Sequence, residues 1–176
     1  MTFFARLYII KSKIVVFHEN VGRKMVISFV GHSLVSSYEI VKALVKDQIE
    51  KIALENQDVT CYLGGYGGFD EMCASACREL KRDIPFLELV YVSPYMTLGE
   101  QEKINDLQKR RLYDFSIYPP LEKVPPKFAI LKRNEWMMSN ADVVIAYVNH
   151  SFGGAYKSLK VAKRKNKKII NICDML

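Results

Sequence analysis

Leu63-Gly64-Gly65-Tyr66-Gly67-Gly68-Phe69-Asp70-Glu71 is the stretch on which the reading of this chain turns. Four glycines fall in five positions, and two carboxylates follow at once. The β-branched and apolar run Val59 to Leu63 leads in. Phe69, Met72, Cys73, Ala76, Cys77 and Leu80 lead out at helical spacing. Glycine tolerates φ > 0 and lets another group approach the backbone without meeting a Cβ. At a strand-to-helix junction the freed N–H groups and the positive end of the helix dipole point at one spot, which suits an anion such as phosphate. Asp70 and Glu71 admit three readings: they complement the dipole, contact a ribose, or move a proton. Plain tight turns are the competing reading of the glycines.

Working outward, the same strand–loop–helix unit recurs. Val26 to Val30 is a short apolar strand ended by Gly31-His32-Ser33, and Ser36 with Glu39 has capping-box spacing ahead of a helix carrying Ile40, Val41, Leu44, Gln48, Ile49 and Ile52. Phe86 to Val92 reads as the third strand. Residues 93–126 are long for a loop; they contain a polar helix over Glu100 to Arg111 and then a proline-rich crossover, with a lid as the functional alternative. Lys127 to Asn140 is helical, Val143 to Val148 is the fourth strand, and Asn149-His150-Ser151-Phe152-Gly153-Gly154 is a second glycine-bearing loop. A helix buried along Ala155, Leu159 and Ala162 precedes a last strand at Ile169 to Ile172.

Short apolar strands alternating with helices predict an α/β fold: a three-layer Rossmann-like domain, with a mainly parallel sheet of about five strands and helices on both faces. In such sheets ligands bind beyond the carboxyl ends of the strands. The loops at 31–33, 64–68 and 149–154 all leave carboxyl ends.

The chain has 176 residues, enough for one domain with a real core. Residues 25–176 read as that domain. Residues 1–24 read as an N-terminal extension: an extra edge strand, a tail, or translation upstream of a start at Met25, with Gly22-Arg23-Lys24 encoded by a purine-rich ribosome-binding site. No apolar run approaches the roughly 20 residues of a membrane span. Cys61, Cys73, Cys77 and Cys173 form no CxxC pair, so neither metal nor cofactor is expected, and scattered cysteines fit a reducing, cytoplasmic setting. The formal net charge is +7, compatible with anionic small molecules or with nucleic acid. Much of the excess lies in Lys157, Lys160, Lys163, Arg164, Lys165, Lys167 and Lys168, a solvated helix face or a polyanion contact.

Five motifs in order carry a family resemblance. They are Gly31-His32; Gly64-Gly65-Tyr66-Gly67-Gly68-Phe69-Asp70; Arg133-Asn134-x-x-Met137; Ala141-Asp142-Val143-Val144-Ile145-Ala146; and Gly153-Gly154 before a basic helix. Over about Val26 to Ile172 the chain resembles the SLOG superfamily of Rossmann-like domains, nearest its YpsA-like branch. The resemblance implies a nucleotide or nucleotide-derived ligand, bound in a sensing or adapter role by Gly31, His32, Ser33, Gly64, Gly65, Tyr66, Gly67, Gly68, Phe69, Asp70, Arg133, Asn134, Gly153, Gly154 and Ala155. The superfamily also holds LOG phosphoribohydrolases and domains of DNA-processing proteins. As an enzyme the chain would be a nucleotide N-glycosidase, with Arg133 on the phosphate and Asp70 or Glu71 as acid/base. The LOG glutamate, however, follows the later glycine loop, and here Tyr156, Lys157 and Ser158 follow Gly153-Gly154-Ala155. Ser33 stands where the family often carries an arginine. The superfamily's enzymes are commonly dimers, and Trp136-Met137-Met138 is the surface considered for one here.

Overall fold

The computed structural model describes residues 5–10, 13–18, 24–56 and 58–176. Gly22 and Arg23 of the proposed upstream segment lie outside them. Strands β1 (Ala5–Ile10) and β2 (Lys13–His18) pair antiparallel as a two-stranded sheet of their own. The main sheet has six strands, all parallel: β3 (Met25–Gly31), β4 (Val59–Leu63), β5 (Leu87–Val92), β6 (Phe115–Ile117), β7 (Val143–Tyr147) and β8 (Lys168–Asn171), in the order β6-β5-β4-β3-β7-β8. The chain builds outward from β3 in one direction through β4, β5 and β6 and in the other through β7 and β8, so the switch point, where such sheets open a crevice, lies between β3 and β7.

Side-chain alternation sorts the strands onto two cores. Ile27, Phe29, Cys61, Leu63, Leu87, Leu89, Val143 and Ile145 face helices α1 (Tyr38–Glu55) and α2 (Gly68–Leu80). Val30, Val90, Val92, Val144, Ala146 and Val148 face α4 (Ala129–Asn140) and α5 (Gly153–Arg164). The three-layer architecture is therefore as the periodicity predicts. Cys61, Cys73 and Cys77 are free thiols buried in the first of these cores.

Three local expectations change. A sixth strand, β6, lies inside the stretch read as a crossover. Three residues are too short to show alternation, and only pairing with Val90–Val92 makes them a strand. The polar helix there is α3 (Leu98–Lys109), capped by the Thr97 hydroxyl accepting from the Glu100 N–H. The Ser36–Glu39 capping box does not form. Helix α1 starts after Ser37, which is left-handed at φ 52, while the Ser36 hydroxyl pairs with the Tyr147 hydroxyl at 2.7 Å. Ile40, placed on the buried side by spacing, is 58% exposed.

Met137 and Met138 are buried in the second core, and Trp136 stacks on Tyr62 with centroids 5.5 Å apart. Met137 and Met138 thus serve the core, and Trp136 is half-buried. Among the described residues no helix is long and apolar enough to cross a membrane.

Candidate functional site

The loops leaving β3, β4 and β7 converge on one cavity of about 320 Å³. Its size lies at the lower end of small-molecule sites, about 300–1,000 Å³. Gly31, His32 and Ser33 form one wall, Tyr66, Gly67 and Asp70 a second, Arg133 and Asn134 of α4 a third, and Gly154 and Ala155 the fourth. Ile130, Met137 and Met138 add apolar surface that the motifs do not reveal.

The remaining sequence candidates stand behind this lining. Phe69 is buried and packs against Gly31 so closely that any Cβ there would enter its ring. Gly65 (φ +69) and Gly67 (φ +94) take backbone conformations that L side chains rarely adopt. Gly64 and Gly68 are needed for closeness instead. A Cβ on Gly64 would lie 2.6 Å from Asp70 Oδ2, and one on Gly68 would overlap the Ser33 carbonyl oxygen. Glu71 is exposed on α2, outside the lining, and Gly153 (φ +83) opens α5 without lining the cavity. The glycine loop is thus shaped chiefly by its own neighbours.

Its anion is internal. Asp70 Oδ2 accepts the Tyr66 N–H at 3.2 Å, and the Asp70 carboxylate also accepts the Gly64 N–H. The turn expected to cradle phosphate over Gly64 to Gly68 therefore already holds a carboxylate. Burial raises the Asp70 pKa above its ordinary 3.8, against the pull of Arg133 and of these N–H groups. With the folded pKa above the unfolded one, Asp70 contributes stability that is fully present below pH 3.8 and is lost as pH rises through the folded value. Asp70→Asn is accordingly expected to gain in stability over the parent between pH 3 and pH 7 in urea unfolding, the two curves meeting below about pH 4. A difference independent of pH would overturn this account.

Arg133 is 1% exposed, the largest fully buried side chain among the described residues. Its Nη1 donates to the carbonyls of Gly64 at 2.7 Å and Val92 at 2.9 Å, tying together the carboxyl ends of β4 and β5. Burial lowers its pKa, and Asp70 opposes that shift. Its Nε is buried without a hydrogen-bond partner. Two cations lie over the Tyr66 ring, the Arg133 Cζ at 5.4 Å and the Lys103 Nζ at 4.7 Å from its centroid. Lys103 donates to the Tyr91 hydroxyl at 2.7 Å, and that hydroxyl donates to Glu100 at 2.6 Å, so α3 is bonded to the site. Sequence reasoning missed this network because α3 carries no motif.

On the other side His32, His150 and Phe152 stack face to face, with centroids 3.6 and 3.9 Å apart. The Nε2 of His32 and the Nδ1 of His150 are buried without partners, and burial together with His150 lowers the His32 pKa. Phe152, outermost, is 68% exposed. Helix α5 begins beside this stack with no acid in its first turn and no side chain capping its N-terminus. The loop before α2 holds the Asp70 carboxylate against its own N–H groups, whereas the first turn of α5 carries no acid.

No family model matches the chain, and no curated protein matches it. Among solved structures, DNA processing protein A of Helicobacter pylori, described for its single-stranded DNA binding mode, is 17% identical with a TM-score of 0.55, over 82% of this chain and 63% of that one. DNA processing protein A (DprA) of Streptococcus pneumoniae is 19% identical with a TM-score of 0.58, over 83% of this chain and 49% of that one. The chain thus spans between about half and just under two thirds of these neighbours. At such identities the likeness is one of fold: this is a Rossmann-like α/β domain with an architecture that these DNA processing protein A structures share.

Proposed function

We propose that the cavity at the carboxyl edge binds a nucleotide-type ligand, its phosphate at the start of α5 and its nucleoside toward Tyr66 and Asp70. The observation that carries this is the meeting of three strand-end loops around Arg133, a buried guanidinium whose Nε is unpartnered. The amides around Gly154 and Ala155, at a helix start that no side chain caps, supply the anion-binding end, helped by the helix dipole. Asp70 supplies an acceptor for ribose hydroxyls, and Asn134 donors and an acceptor for a base or sugar.

The reading places the chain with the sensor and adapter domains of the SLOG superfamily, in its YpsA-like branch, rather than with the hydrolases. No acid follows Gly153-Gly154, and Glu71 stands outside the cavity. The same pocket also suits one nucleotide of a single strand. That second reading rests on the exposed ring of Phe152 beside the cavity and on the +7 charge, and the H. pylori neighbour's single-stranded DNA binding agrees with it.

Nucleoside monophosphates and short single-stranded oligonucleotides are expected to raise the melting temperature, and the matching unphosphorylated nucleosides are not. Gly154→Glu puts a carboxylate at the amide end, at a position where a new Cβ meets nothing within 4 Å, and is expected to weaken binding about tenfold or more without loss of fold. Equal stabilisation of the parent and Gly154→Glu, or none by any nucleotide, overturns the proposal. Released base in the same incubations would instead establish N-glycosidic hydrolysis.

A further inference from the structure

A second cleft, of about 220 Å³, lies at the opposite, amino edge of the sheet, where the end of α2 meets the turn between α3 and β6. Arg78, Lys81, Arg82 and Arg111 line it, with Asp114 as its acid and Tyr113 as a wall. Asp114 is already engaged: Lys81 pairs with it, and it accepts the Leu89 N–H at 2.8 Å. Arg78 hydrogen-bonds the half-buried Tyr113 hydroxyl. No ion pair joins Arg78, Arg82 or Arg111 to a carboxylate among the described residues. The C-termini of α2 and α3 bring about half a negative charge each. Four cations against these and Asp114 still leave about two positive charges.

Arg111 is the telling residue. Helix α3 ends in a Schellman motif, in which the Leu112 N–H reaches the Leu107 carbonyl at 3.0 Å and the Arg111 N–H the Gln108 carbonyl at 2.9 Å. The left-handed position of that motif, normally glycine or asparagine, is Arg111 at φ 54. Helix α5 ends in the same way and there uses Asn166 at φ 51. Arginine at this position strains the backbone and gains nothing locally, whereas its side chain lines the cleft.

We propose that this cleft is a phosphate-binding site, distinct from the carboxyl-edge cavity, with Arg78, Arg82 and Arg111 as its ligands. Several planar guanidinium forks suit a doubly charged group with three or four oxygens better than a carboxylate, which one fork satisfies. The cleft is smaller than a typical small-molecule site, so it takes the phosphate group and leaves what bears it, a small molecule or a nucleic-acid backbone, outside.

The test is a titration of the ¹⁵N-labelled full chain with inorganic phosphate at constant ionic strength. Saturable shifts are expected at the Arg78, Arg82 and Arg111 Nε–H signals and the amides of residues 111–114. Arg111→Gly should melt higher, since glycine fits the left-handed turn, and should bind phosphate about tenfold more weakly; Arg82→Gln should weaken binding alike. Asn134→Ala, which alters only the other cavity, should leave these shifts unchanged, so the two proposals fail separately. A short oligothymidylate identifies the source. If both arginine variants weaken it and flatten its salt dependence, the phosphate belongs to a backbone; if only free phosphate is affected, it belongs to a small molecule. Shifts that drift linearly without saturating, or that saturate in Arg111→Gly with the parent's affinity, overturn the site.

Discussion

Arg133→Ala is expected to destabilise the protein by roughly 3–5 kcal/mol, as removing one member of a buried charged network does. The substitution strips a charged donor from the Gly64 and Val92 carbonyls at once and leaves Asp70 without its nearest opposing charge. A donor of this kind is worth about 1.5–3 kcal/mol for each hydrogen bond it makes. For a chain of 176 residues the melting temperature should drop by about 10 °C. Arg133→Lys should recover only part, because one ammonium at the end of a flexible stem does not reproduce the planar fork between two strand ends. A loss under about 1 kcal/mol in urea unfolding would show that the strand-end bonds are dispensable and that Arg133 is held for a ligand alone. The residue that the motifs mark as a phosphate contact is thus also a structural tie, and ligand binding by Arg133→Ala is interpretable only beside its unfolding curve.

Gly68→Ala is expected to cost about 2–3 kcal/mol and to open the cavity wall. Gly68 donates its N–H to the Ser33 carbonyl at 3.2 Å, and a new Cβ would overlap that same oxygen. The obstacle is backbone, so no side-chain rotation relieves it, and the 31–33 loop must move away from the start of α2. Nucleotide affinity should fall with stability. Gly154→Ala is the contrast. Its Cβ meets nothing within 4 Å, and alanine at a helix start is neutral or slightly stabilising. Urea unfolding of the two variants measures the difference directly. Equal stabilities would mean that the Gly68–Ser33 contact yields easily and does not fix the two loops together.

The periodicity of the sequence alone determined the layered α/β fold. Val26 to Val30, Val59 to Leu63 and Val143 to Val148 are near-continuous apolar runs, broken only at Ser28 and Thr60, because both faces of a parallel strand are covered. The α2 stripe from Phe69 to Leu80 is buried as its spacing requires. The carboxyl-edge location of the candidate site was legible for the same reason, since it follows from strand–helix alternation. Tertiary structure alone decided what each residue there does. Nothing in the spacing separates Asp70, turned into its own glycine loop, from Glu71, turned to solvent. No local signal shows Arg133 reaching two strand ends 41 and 69 residues away in the chain. Likewise β6 exists only through its neighbour, and the arginine cleft only through the meeting of two helix ends. A local pattern records which face of an element is buried; which charges meet is fixed by contacts between elements distant in sequence.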